Sequence, residues 1–186
     1  MSSFRVAQRY AKSLIMLAQE KGKLAEINKD FRRVDEIFET SKDLKAVFKS
    51  PIIAADKKLA IAKKVFEGNT SEMVYSFIVL LIKKGREADL HEIAEAFITQ
   101  YNVIAGITPV KFTSAVKLDA AEVNRIISNL KAKENLKEVE LTEEVDPELI
   151  GGFVLTYGDK MVDASVKNQL HGFRKIVDDN SYIKKY

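Results

Sequence analysis

Asp146, Glu148, Asp159 and Asp163, with His171 behind them, put four carboxyls and an imidazole into one short run. Carboxylates beside an imidazole are the material of general acid–base chemistry. Each residue also has a plainer reading. Pro147 fixes its own φ and pushes Asp146 out of the helical region, so Asp146-Pro147-Glu148 begins a turn. Gly158-Asp159 is a turn dipeptide, Ser165 suits an N-cap, and Asp163 sits just before it, where a helix dipole favours a carboxylate. A phosphate-binding loop is excluded by spacing: Gly152 and Gly158 enclose five residues where the loop needs four, and Asp159 intervenes before Lys160. These glycines precede a strand pattern, so no helix N-terminus is aimed at a phosphate.

Other chemistries find less support. With no cysteine there is neither a thiolate metal site nor a disulfide framework, and His91 and His171 lie far apart, so no metal and no cofactor is expected. Lys57, Lys58, Lys63 and Lys64 are candidates for phosphate contacts in an RNA-binding helix. They equally make the solvated face of an amphipathic one. Net charge is only +3 and no basic run is interleaved with aromatics, which argues against nucleic acid. A helical RNA-binding domain and a small acid–base enzyme domain stand as the alternatives to a non-catalytic connector.

The elements that must position these residues follow from periodicity. Phe4, Ala7, Tyr10, Ala11, Leu14, Leu17 and Ala18 recur at helical steps up to Gly22, and Leu24, Ile27, Phe31, Val34 and Phe38 step by three and four. A short helix with Leu44, Val47 and Phe48 stops before Pro51, and Asp56 is expected to cap one carrying Leu59, Ala62, Val65 and Phe66. Met73 to Ile82 is mostly apolar, and a sixth helix runs from Leu90 to Ile104. At Gly106 the period changes to two: Val110, Phe112, Ser114 and Val116 alternate, with Pro109 suiting an edge or a strand's beginning. A helix with Val123, Ile126, Ile127 and Leu130, a strand with Val139 and Leu141, and the strand Phe153 to Tyr157 follow. Val166, Leu170, Phe173 and Val177 then mark a last helix, expected to cover the sheet together with the Val123 helix.

The fold expected is mainly α, with a six-helix bundle over residues 1–105 and a small α+β domain over 106–186. At 46% hydrophobic residues the chain supports a real core. The first twenty residues read as a helix rather than a signal peptide, and the longest apolar run, Phe77 to Ile82, is far short of the roughly 20 residues that span a bilayer. A soluble chain on the cytosolic side is expected.

The run from Asp146 to Leu170, with Leu149, Gly151-Gly152, Phe153, Leu155, Gly158, Asp163 and Ser165, resembles the C-terminal signature of the delta subunit family of bacterial F-type ATP synthases, counterpart of the mitochondrial oligomycin-sensitivity-conferring protein. Thr156 departs, standing where the family usually has a charged or amide residue. Arg9 to Leu14, Ser50 to Lys58 and Phe77 to Phe97 resemble the family's first helix, its Ser-Pro helix junction and its fifth and sixth helices. The resemblance implies a non-catalytic peripheral-stalk subunit, one copy per complex, held at the cytoplasmic face of the bacterial plasma membrane without inserting into it. It implies that alpha-subunit N-termini lie in a groove involving Tyr10, Ala11, Ser13, Leu14 and Leu17 with Phe77, Leu80 and Leu81. It implies that b subunits dock on the second domain, where Gly151, Gly152, Val166, Leu170 and Phe173 bind or shape the dock.

Overall fold

The computed structural model describes residues 3–178, and the side chain of Val177 lies outside the described residues. The helices are α1 Ser3–Glu20, α2 Leu24–Thr40, α3 Lys42–Lys49, α4 Ala55–Phe66, α5 Glu72–Lys83, α6 Leu90–Ala105, α7 Ala120–Glu134 and α8 Val166–Asp178. The strands are β1 Ile107–Ser114, β2 Glu138–Val145, β3 Phe153–Tyr157 and β4 Lys160–Asp163. The chain is mainly helical and divides into two compact units, one ending at Ile104 and the other beginning at Ala105.

The first unit holds α1 to α6 around one apolar core. Ile27, Phe31, Val34 and Phe38, the periodic positions of α2, are all buried, and α1 buries Ala7, Ala11, Leu14 and Ala18. α1 also buries Val6 and Ile15, whereas Phe4 and Leu17 face solvent, which shifts its inner face from the expected one. The Phe31 ring stacks on Phe97 at 4.6 Å, and Phe38 meets Phe48 edge-on at 5.6 Å. α5 ends as its Lys-Lys-Gly sequence predicts: Gly85, at φ +64, lets the Arg86 N–H reach Leu81 O at 2.9 Å. Asp56 is not the cap of α4. That helix starts two residues earlier with Ala54 in the cap position, leaving Asp56 in the first turn, where the helix dipole still favours it.

Lys58 also departs from its expected place on a solvated face. It is 2% exposed, and its ammonium donates to Glu87 Oε1 at 2.7 Å and to Phe48 O at 3.1 Å. A buried ammonium persists only when paired and hydrogen-bonded. It has no free charge to offer a phosphate.

In the second unit the sheet order is β2-β1-β3-β4, with β1 parallel to β2 through α7 and the other pairs antiparallel. Val123, Ile127 and Leu130 of α7 pack on Val110, Phe112, Leu155 and Tyr157, the inward positions of β1 and β3. Pro109 lies in β1, an interior strand. Ala115 N–H bonds Gly152 O on the β3 side, and by alternation the Pro109 nitrogen points that way too, one residue beyond the last β1–β3 pair, Val110–Tyr157. No ladder bond is lost. The expectation that two helices cover the sheet is corrected, since α8 leaves Leu170 53% and Phe173 65% exposed. α8 packs instead on the 3-10 turn Pro147–Leu149, and among the described residues α7 supplies the sheet's helical apolar cover.

Two stability outcomes follow from these contacts. A Cβ on Gly152, at φ +75, would lie 2.2 Å from the Ala164 carbonyl oxygen, whereas one on Gly158, at φ +53, would meet nothing within 4 Å. Gly158→Ala should cost about 1–2 kcal/mol of left-handed strain, and Gly152→Ala or Gly152→Val clearly more, read as urea midpoints of the full chain. Equal losses would count against the close approach of the two backbones. Lys58→Ala, which strands Glu87, should cost about 3–5 kcal/mol, and the double change Lys58→Met with Glu87→Leu less than the single one. A Lys58→Ala chain as stable as the parent would remove the buried pair from the core's energetics.

Candidate partner-binding sites

The acidic run of the second unit is spent on backbone geometry. Asp146 Oδ1 accepts the Glu148 N–H at 3.0 Å, and the Asp146 N–H donates to Ser114 O at 2.8 Å. Asp163 Oδ1 accepts the Ser165 N–H at 2.9 Å, while Ser165 Oγ accepts the Asn168 N–H at 3.2 Å and caps α8. Hydrogen bonds from Ser165, chiefly from its side chain, hold the Asp163 carboxyl below the usual carboxylate range. A general acid at neutral pH needs the opposite shift. Glu148 is exposed beside Lys167 at 3.4 Å, and Asp159 sits in the exposed β3–β4 turn. No nucleophile, base and orienting group converge here.

What the first unit does present is an apolar groove between α1 and α5, an open cleft of about 740 Å³. Leu14, Leu17, Phe77 and Leu80 line it, joined by Ile27 and Met73, with Lys21, Lys23, Glu26 and Glu72 also on its walls. Phe77 is half-buried at the floor, edge-on to both Tyr10 at 6.3 Å and Phe31 at 6.2 Å. Leu17 and Leu80 stand at its sides, 39% and 46% exposed. Four of the eight groove residues expected from sequence are thus brought together. Tyr10 braces the floor without lining the cleft, and Ser13 is exposed outside it, its hydroxyl donating to Arg9 O at 2.9 Å. Ala11 and Leu81 are corrections: both are wholly buried in the helical core and have no surface for a partner. Met73 was missed because nothing in a helical period says that a core seam continues into a cleft, while Ile27 beneath it is as buried as Ala11.

A smaller cleft of about 480 Å³ lies in the second unit where α8 meets the Pro147–Leu149 turn. Leu149, Ile150, Leu170 and His171 are among its walls, with Lys167 and Arg174. Leu170 is therefore in the cleft, and the Phe173 ring is exposed on the same helix. Val166 is half-buried under Gly151, whose added Cβ would lie 2.9 Å from Val166 Cγ2. Gly151 and Gly152 thus shape this region by letting α8 and the chain before it approach, and neither lines the cleft. Ile150 was missed altogether. It is 66% exposed and held at φ +67, a conformation that costs a β-branched residue about 1–3 kcal/mol and that no sequence period reveals.

The two histidines differ in setting. His171 is exposed, whereas His91 is buried between α2 and α6 with its Nε2 3.0 Å from Glu39 Oε1. Its Nδ1 faces Asp35 at 3.6 Å and Glu95 at 3.4 Å. Burial raises the Asp35 pKa, the charge of His91 opposes that rise, and Glu95 and Glu39 add to it.

Among the described residues no helix is long and apolar enough to cross a membrane. The family model for the ATP synthase delta (OSCP) subunit matches residues 6–177. ATP synthase subunit delta of Cytophaga hutchinsonii is 38% identical over 171 residues, covering 92% of this chain and 93% of that protein. That of Citrifermentans bemidjiense is 35% identical over 178 residues, covering 95% and 98%. The fold matches a chain in the cryo-EM structure of the Toxoplasma gondii mitochondrial ATP synthase hexamer with a TM-score of 0.72 at 18% identity, over 92% of this chain and 96% of that one. With the signature run, the helical order and the matched length all in agreement, the chain belongs to the ATP synthase delta (OSCP) subunit family.

Proposed function

We propose that residues 1–105 act as a six-helix bundle that holds the N-terminal segment of an alpha subunit in the α1–α5 groove, and that residues 106–186 receive the C-terminal end of the b subunits beside α8. Membership of the family makes the chain a peripheral-stalk subunit of an F-type ATP synthase, a stator component rather than a catalytic one. The observation that carries the proposal is the groove itself. An amphipathic helix is recognised by apolar anchors spaced a turn apart over a hydrophobic floor, and Leu14, Phe77, Leu17 and Leu80 supply floor and sides. In the working complex the subunit sits at the cytoplasmic face of the membrane, in one copy, and resists the torque that would otherwise turn the catalytic head. Proton flow and ATP chemistry then stay coupled.

Magnitudes limit how the grip is shared. Nanomolar binding corresponds to about 12 kcal/mol. Covering what remains exposed of Leu17 and Leu80 contributes on the order of 1 kcal/mol each, as a share of the roughly 1.5–3 kcal/mol of a fully buried side chain. The contact must therefore run the length of the groove.

In calorimetry with the full chain and an alpha N-terminal peptide, Leu17→Asp and Leu80→Asp should weaken binding about tenfold or more while urea midpoints stay within about 0.5 kcal/mol of the parent. Ala11→Trp should do the reverse, costing about 1–3 kcal/mol of stability by overpacking. Unchanged affinity in both Asp variants would remove the groove as the alpha site. In vesicles, Gly152→Val should abolish proton-driven ATP synthesis and b-subunit binding together. Asp159→Asn and Asp163→Asn should leave hydrolysis by the detached head untouched, and a loss there would revive a catalytic reading.

A further inference from the structure

We propose that Asp35, His91 and Glu95 form a binding site for one zinc-class divalent cation, bridging α2 and α6. One donor atom from each of the three residues lies within 4.8 Å of the other two. Acidic side chains often cluster without holding an ion, so the imidazole carries the argument. His91 is 4% exposed, and its Nδ1 has no hydrogen-bond partner although it points between two carboxylates. Asp35 Oδ1 is likewise buried without a hydrogen bond. Three carboxylates face this one imidazole, Asp35 and Glu95 at Nδ1 and Glu39 at Nε2, which is more negative charge than a single ring can balance. A cation among Asp35, His91 and Glu95 relieves that excess.

The geometry suits the ion. Zinc bonds of about 2.0–2.2 Å at the tetrahedral angle put donor atoms roughly 3.3–3.6 Å apart. The Nδ1 distances to Glu95 and Asp35 are 3.4 and 3.6 Å. One imidazole with two carboxylates suits zinc better than magnesium or calcium, which take oxygen ligands. A water can fill the fourth position on the side where Glu95, 58% exposed, meets solvent. Glu39 completes the arrangement as a positioning residue. Its Oε1 lies 3.0 Å from Nε2 and fixes the tautomer that leaves Nδ1 free to bind, as an acceptor behind a metal-binding histidine does. Phe38, 5.6 Å away, packs on the ring. Each pair, Asp35 with Glu39 and His91 with Glu95, is spaced one helical turn apart and so shares a face.

The test titrates zinc calorimetrically into the chelator-stripped full chain at neutral pH, in a His171→Ala background that removes the other imidazole. One ion should bind, the melting temperature should rise, and EDTA should reverse the rise. Magnesium at the same concentration should do neither. Glu95→Gln, at an exposed position, should fold normally and lose at least tenfold in affinity, and Asp35→Asn should lose as much. Glu39→Gln should lose about 10–100-fold and shift the His91 nitrogen resonances toward the other tautomer. A His171→Ala chain whose melting curve ignores zinc, or a Glu95→Gln chain that binds it undiminished, overturns the site and leaves His91 as a ring ion-paired with its carboxylates.

Discussion

Four aromatic rings set the form of the helical unit. Phe97 of α6 stacks on Phe31 of α2, Phe31 meets Phe77 of α5 edge-on, and Phe77 meets Tyr10 of α1 in the same way. Aromatic pairs in these geometries add about 0.5–1.5 kcal/mol each beyond the area they bury, but direction matters more here than energy. The series begins at a wholly buried ring and ends at half-buried ones, so the floor of the groove is an extension of the core. A helix held in the groove as proposed would press on a Phe77 ring whose position Phe31 and Phe97 have already fixed. Little ordering entropy remains to be lost there on binding, which favours slow dissociation.

The order and type of the elements were legible in the sequence because both periods are clean: α2 repeats at three and four, β3 at two, and Gly85 and Ser165 punctuate where they should. Facing was less legible. An apolar helical stripe more than 100° wide contains both the seam against neighbours and anything left over, so Ala11 and Leu81 read the same as Leu17 and Leu80 until the helices are packed. Lys58 was misread for another reason. Its partner Glu87 lies 29 residues away, and a lysine is expected on the surface unless the chain brings it an acid. The setting of His91, weighed in the sequence only against the distant His171, was illegible for a similar reason, since Asp35 and Glu39 beside its ring sit on a helix more than fifty positions earlier.

In the second unit the error is the informative part. Leu170 and Phe173 follow the helical period so regularly that sequence reasoning buries them on the sheet, yet α7 already covers that core. Leu170 and Phe173 thus stay exposed on one helix after the core is complete, the pattern on which the proposed dock beside α8 rests. The glycine pair makes this face possible. Gly152 brings the backbone under Ala164, and Gly151 leaves room for Val166, so α8 starts close against the chain that precedes β3.

Catalysis and anchorage place opposite demands on acidic residues. A catalytic acid is held partly desolvated so that it keeps its proton near neutral pH until the reaction takes it, which destabilises the protein locally. Asp163 has instead been given donors on Ser165 that keep it ionised, and Asp146 turns the chain into β3 through the Glu148 N–H. Both carboxylates stabilise their own turns. A stator needs this, since a subunit loaded by torque fails first at its least stable segment, and the turns around β3 are where α8 and its apolar face are attached. The acids that resemble an active site in the sequence are the fastenings of the turns from which α8 starts.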